Sequence, residues 1–171
     1  MQRGVWFPTV RAHTGTDIFT EQLATGLEKI GYKVAIDWLP LRAEYAPWSV
    51  QVPSAPEWAN IAHVNSWLAT RFIPARMKVV TTIHHSIHDP RLLPFKGGLR
   101  RCYHRYWVQW LERQNVARAD SVIAVSKDAA HWAIEILGAT NVQVIPNGID
   151  LSEMPLLEKR EPNSPFGLIY L

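Results

Sequence analysis

Hydrophobic and polar positions along the chain follow two rhythms that alternate. Short apolar or β-branched runs recur at Val5 to Val10, Lys33 to Trp38, Ile61 to Asn65, Lys78 to Ile83, Ser121 to Val125 and Val142 to Ile145. Such runs suit strands buried on both faces of a parallel sheet. Between them apolar residues return at helical spacing. Asp17 to Ile30 places Ile18, Phe19, Leu23, Leu27 and Ile30 on one stripe. Leu99 to Arg118 carries Leu99, Tyr103, Tyr106, Trp107, Trp110 and Leu111 at core spacing, and Lys127 to Leu137 carries Ala130, Ala133, Ile134 and Leu137. Ser126 is a good N-cap for the last of these, and Gly138 stands where a helix end tolerates positive φ. A short helix is expected over Ser66 to Arg71, a loop over His84 to Pro94, and an irregular stretch over Leu39 to Trp58, which holds four prolines. Strand, helix, strand in this order predicts an α/β, Rossmann-like parallel sheet with helices on both faces and right-handed crossovers.

Composition narrows the class. The 171 residues suffice for one domain with a real core and are too few for two full ones. With 47% hydrophobic and 19% charged residues the chain reads as folded and globular rather than disordered. No apolar run is long enough to span a bilayer, and MQRGVWFPTV lacks the apolar core and cleavage site of a signal peptide. The single cysteine, Cys102, excludes an internal disulfide and a thiolate metal cluster, and a reducing cytoplasm is the simplest compartment. The formal charge of +3 is mild, but Lys96 to Arg118 holds six Lys or Arg against one acid, Glu112. That concentration points to an anionic partner surface.

The stretch Ala119 to Asp150, ADSVIAVSKDAAHWAIEILGATNVQVIPNGID, carries a family pattern. Its AD-x-VIAVS, following helix, glycine and V-x-VIPNGID resemble the end of the N-terminal domain of GT-B glycosyltransferases of the retaining family 4 (GT4-type, group 1). The opening strand, glycine-bearing loop, helix and Gly31-Tyr32-Lys33-Val34 strand show the same arrangement. The resemblance implies a domain over 1–150, a linker over 151–165 and, at 166–171 (FGLIYL), the first strand of a second, donor-binding domain. It implies a reaction in which a sugar passes from a nucleotide-sugar donor to an acceptor hydroxyl with retained anomeric configuration, with no cofactor and no metal. The donor-binding basic pair and ribose-binding Glu of that family belong to the second domain, so these residues alone are expected not to turn over a sugar nucleotide.

Candidate chemistry gathers at the loops that follow the strands, where doubly wound sheets bind ligands. His84, His85, His88 and Asp89 follow the fourth strand. Imidazole and carboxylate suit zinc, but this spacing fits no standard zinc motif. The family shows T-x-H-D after this strand; His84 matches its histidine, which faces the donor sugar and phosphate, while His85 stands where the family often has aspartate. The first loop offers Gly15 and Thr16 at a helix N-terminus, suited to a phosphate or a sugar hydroxyl. It is not G-x-G-x-x-G, which counts against a dinucleotide, and it lacks the family's Gly-Gly pair; an ordinary capped start with Asp17 in the first turn is the plainer reading. Ser126 is first a helix cap and second a substrate contact.

Two surfaces remain. Arg100, Arg101 and Arg105, with aromatics alongside, read either as a solvated helix face or as a contact for an anionic membrane or a lipid pyrophosphate. No nucleic-acid-binding motif accompanies them. The Trp- and Pro-rich Leu39 to Trp58 reads as core filling under a long loop or as an acceptor- or membrane-touching loop. The resemblance implies a nucleotide-sugar donor and a glycan acceptor as partners, and the Trp and Arg richness points to a lipid-linked or cell-envelope acceptor, with peripheral contact at the inner face of the membrane. A separate acceptor-binding or membrane-recruiting subunit of a split enzyme, and a generic nucleotide-binding domain, are the competing readings.

Overall fold

The computed structural model describes residues 4–148. The linker and orphan strand expected at 151–171, and the last residues of the PNGID turn, lie outside the described residues. Six strands form one parallel sheet in the order β2-β1-β3-β4-β5-β6. They are β1 (Gly4–Val10), β2 (Lys33–Leu39), β3 (Ile61–Asn65), β4 (Lys78–Ile83), β5 (Ser121–Ala124) and β6 (Val142–Val144). Each falls where the apolar runs place it. The order reverses between β1 and β3, and ligands in open α/β sheets bind outside such a reversal. β1 and β3 pair only through Val5 with Ile61 and Trp6 with Ala62, whereas β1 pairs with β2 along its whole length. The sheet therefore opens a crevice at the carboxyl ends of β1 and β3.

Helices cover both faces. Helix α1 (Gly15–Lys29) packs Leu23, Ala24 and Leu27 over Val5, Phe7, Val34 and Ile36. On the opposite face a larger cluster joins Trp6, Ala62, Val64, Phe72 and Val79 to Leu111. It continues into Ile83, Val116, Val122 and Ala124 beneath the alanines of α4 (Lys127–Trp132). α4 runs on through a widened π turn to Leu137 and stops at Gly138, whose φ of 74° only glycine adopts without strain. The predicted helix at Ser66 to Arg71 is instead a turn followed by a 3-10 segment, Thr70–Phe72.

The long helix of the sequence reading is three pieces in line: α2 (Gly98–Cys102), a π segment (Tyr103–Val108) and α3 (Gln109–Arg118). Its inward face is not the aromatic stripe. Leu99, Tyr106 and Trp110 are exposed, and the buried set is His104, Val108, Leu111, Glu112, Asn115 and Val116. Two causes combine. The π segment rotates the faces before and after it, and three inward residues are polar, so an apolar count passes over them. In α1 likewise Ile18 and Ile30 are exposed, while Asp17 and Thr20 turn inward. Among the described residues no helix is long and apolar enough to cross a membrane.

Candidate functional site

The crevice at the carboxyl end of the sheet is bordered by the loops after β1, β4 and β3. The first follows β1. There Asp17, in the first turn of α1, accepts from the backbone N–H groups of Ala12 (3.2 Å) and His13 (2.9 Å). Two of the donors that would face an anion are therefore already satisfied by a buried carboxylate. Thr14 stands at the N-cap without capping a backbone N–H, its hydroxyl instead hydrogen-bonded to that of Thr16 at 3.0 Å. Gly15 is exposed, and a Cβ there would meet nothing. This loop can offer hydroxyls and a few N–H groups, in a setting that the Asp17 charge makes poor for phosphate.

The second loop follows β4 and holds the histidines. Their three rings lie in three different settings. His84, half-buried, packs edge-on against Phe19 with ring centroids 4.5 Å apart. His85 is exposed and packs against Trp67 at 5.8 Å. His88 is 2.5 Å from Glu112. Among the described residues no group of three His, Cys, Asp or Glu side chains converges as metal ligands would. Burial, and then the neighbouring His85, lower the pKa of His84 to about 4, so at neutral pH its ring is uncharged. Partial dehydration also lowers that of His85, and the Glu112 carboxylate opposes the shift.

Sequence reading passed over three residues here. His63, inside β3, is buried against Thr82 on β4 (Nε2 to Oγ1, 2.9 Å) and lies edge-on to Phe7. Burial, then His84, lower its pKa to about 4. The signal available was alternation along the strand: Ala62 and Val64 face the larger core, so His63 faces α1. Glu44 lines the mouth between β1 and β3 with Thr9, Thr16, Asn65 and Trp67. Burial and then the charge of Asp17 raise its carboxyl above the usual range. Glu112 is fully buried on α3, where its two oxygens meet Ser66 Oγ (2.7 Å) and His88 Nε2 (2.5 Å). Asn115, one turn on, donates to the carbonyl of Ser66 (2.8 Å) and to that of Leu68. Together they pin the loops after β3 and β4 to one helix. No sequence pattern marks Glu112 as anything but the lone acid in a basic stretch.

The remaining candidates spread outward. Ser126 Oγ accepts from Ala129 N at 3.0 Å, the cap expected of it, and the residue is exposed. Beside it Asp128 accepts from Ser86 Oγ (2.7 Å) and Arg91 (3.0 Å), which ties the histidine loop to α4. Arg100, Arg101 and Arg105 are exposed on α2 and the π segment, and only Arg101 and Arg105 line the groove beside them. The Trp- and Pro-rich stretch divides: Ala43, Pro47 and Val50 are buried, while Tyr45 and Trp48 are exposed. Below the crevice a groove of about 650 Å³ runs along α1 from Phe19, His63 and Thr82 across Ile123 to the Pro146-Asn147-Gly148 turn.

Residues 37–153 match the family model described as Glycosyltransferase Family 4. No curated protein matches the chain. The matched span exceeds half of the sequence and covers β3 to β6 with the histidine loop. The chain belongs to glycosyltransferase family 4.

Proposed function

We propose that the chain is the acceptor-side half of an enzyme that moves a sugar from a nucleotide-sugar donor to an acceptor hydroxyl with retention of anomeric configuration. The observation that carries this reading is His84, half-buried at the carboxyl end of β4 beside the strand-order reversal and held neutral by burial. A neutral imidazole donates at one ring nitrogen and accepts at the other, which suits uncharged sugar hydroxyls. With its pKa near 4, His84 orients substrate rather than carrying a proton at neutral pH. Thr16 and Asn65 offer further polar contacts at the mouth, and Gly15 leaves room there. Glu44, raised by burial, is the carboxyl suited to accept a proton from an acceptor hydroxyl. His85 contacts substrate from the rim, while His88 serves by holding the loop to Glu112. Ser126 faces the same edge as a cap with a secondary contact. Catalysis of this kind is mainly positioning plus stabilisation of the leaving phosphate. The leaving phosphate falls to a donor-binding half beyond these residues, and the 171-residue chain alone binds acceptor without transferring sugar. Its working place is the cytoplasm, at the inner face of the membrane.

The test is transfer of labelled sugar from a panel of nucleotide sugars to a polyprenyl-linked acceptor. It compares the 171 residues with the full polypeptide its gene encodes. Transfer by the full polypeptide that falls about a hundredfold in kcat on His84→Ala, with donor KM little changed, supports the site. Undiminished transfer by that variant overturns it, and transfer by the 171 residues alone overturns the half-enzyme reading.

A further inference from the structure

A second groove, of about 670 Å³, lies between the 87–96 loop and the column formed by α2, the π segment and α3. Lys96, Arg101, His104, Arg105 and Arg113 line it, and Glu135 is the only carboxylate among its described lining residues. None of its Lys or Arg residues has a carboxylate within ion-pair distance among the described residues. Backbone carbonyls instead aim them: Arg101 donates to Leu93 O (3.0 Å), Arg113 to Ile136 O (2.9 Å) and Lys96 to Ile87 O. His104 is buried on the groove wall, and its Nδ1 has no hydrogen-bond partner among the described residues. Burial, then Lys96, Arg100 and His88, lower its pKa; burial, then Arg100, lower that of Lys96. Cations that suppress one another's protonation are stabilised by a shared counter-anion. Arg101 and Arg105 stand one helical turn apart, a spacing at which two guanidinium forks meet several phosphate oxygens at once. Of its lining residues Tyr106 is 71% exposed, and Phe95 and Leu99, near Lys96 and Arg101 along the chain, are 84% and 89% exposed. Cationic heads beside protruding apolar side chains fit the boundary of an anionic bilayer.

We propose that this groove holds the phosphate or pyrophosphate group of a lipid-carried acceptor, with Arg101 and Arg105 gripping the phosphate oxygens and Phe95 and Leu99 resting in the lipid. Calling the ligand an acceptor rests on the glycosyl-transfer reading; the anion site itself does not. Trp67, in contact with both His85 (5.8 Å) and His104 (6.4 Å), forms the partition between this groove and the His84 crevice. The phosphate would thus be anchored on one side of Trp67 and the hydroxyl to be glycosylated presented on the other.

The experiment is vesicle co-sedimentation of the 171-residue chain, paired with calorimetry on inorganic pyrophosphate. Phosphatidylcholine vesicles are used plain, doped with polyprenyl pyrophosphate, or doped to the same charge with phosphatidylserine. The proposal expects preference for the pyrophosphate vesicles by about tenfold or more. It expects that preference to be lost in R101Q/R105Q and kept in Arg76→Gln, a surface control outside the groove. Arg105→Gln alone, which removes no hydrogen bond to described residues, loses part of it and guards against a folding artefact. Equal binding to both charged vesicle types overturns the site in favour of general surface adhesion. Inorganic pyrophosphate binding as tightly as the doped vesicles overturns the lipid source. Unchanged binding by R101Q/R105Q overturns the groove. Sugar transfer by the full polypeptide that survives R101Q/R105Q undiminished sinks this proposal and leaves the transferase reading. Selective vesicle binding by a protein that transfers no sugar does the reverse.

Discussion

Trp67 touches His104 on one hand and His85, which in turn touches His84, on the other, and burial lowers the pKa of both His84 and His104. Their surroundings differ in kind. Around His84 the neighbours are Phe19, His63 and His85, and the carboxyls of Glu44 and Asp17 interact with each other at the mouth of the same sheet edge. Around His104 they are Lys96, Arg100, Arg101, Arg105 and His88, opposed by the single buried carboxylate of Glu112. One setting is polar and close to neutral, the other strongly positive. On the proposed reading, the same side chain marks a place for hydroxyls on one side and a place for phosphate on the other. What separates them is not the histidine but the fixed charge that the local helices bring to each.

Breaking the partition should have the largest effect. Glu112 ties the loop after β3 to the loop after β4 through Ser66 and His88. Glu112→Ala leaves both partners buried and unsatisfied, and should cost about 3 kcal/mol in urea unfolding. A cost below about 1 kcal/mol would show that the two loops hold themselves. The pH dependence of stability is next. His63 has a pKa near 4 when folded and an ordinary one, about 6.5, when unfolded. Between those values the unfolded chain binds the proton and the folded one does not, so stability falls as pH drops from 6.5 toward 4. The span corresponds to about 3 kcal/mol, read as the difference between wild type and His63→Asn. Parallel curves for the two proteins would contradict a buried neutral His63. His84→Ala should lower kcat about a hundredfold, or about 2.7 kcal/mol, without a matching loss of stability. Ser126→Ala should cost about 1 kcal/mol as a lost cap. A fall in transfer larger than the fall in folded protein would give Ser126 a substrate contact as well.

How much of this was legible depends on which physical signal marked each residue. All six strands fall on apolar or β-branched runs; in the central strands this is because burial on both faces needs nearly every position apolar, while the edge strands β2 and β6 stay partly exposed. Ser126 and Gly138 were readable because caps and left-handed turns admit few residue types. The position of His84 directly after β4 was readable from the apolar run that precedes it. Glu112, His63 and Glu44 were not. Each takes its role from partners 19 to 46 positions away or from a crevice assembled by separate loops. A polar residue turned into the core looks, in sequence, like a residue turned outward. The same blindness misplaced the face of the α2 to α3 column. Leu99, Tyr106 and Trp110 were read as core, and the structure exposes them because His104, Glu112 and Asn115 hold the inward positions. That exposure turned half of a supposed core stripe into apolar surface, with Tyr106 lining a basic groove.

The contrast between the two sides of Trp67 is measured most directly by nuclear magnetic resonance of the histidine side chains, titrated with pH in the presence and absence of inorganic pyrophosphate. His84 should titrate near pH 4 in both series, unmoved by the anion. His104 should titrate below the ordinary histidine range without pyrophosphate and move upward with it, as a bound anion offsets the charges of Lys96 and Arg100. A His104 resonance that ignores pyrophosphate while His84 responds would contradict the account.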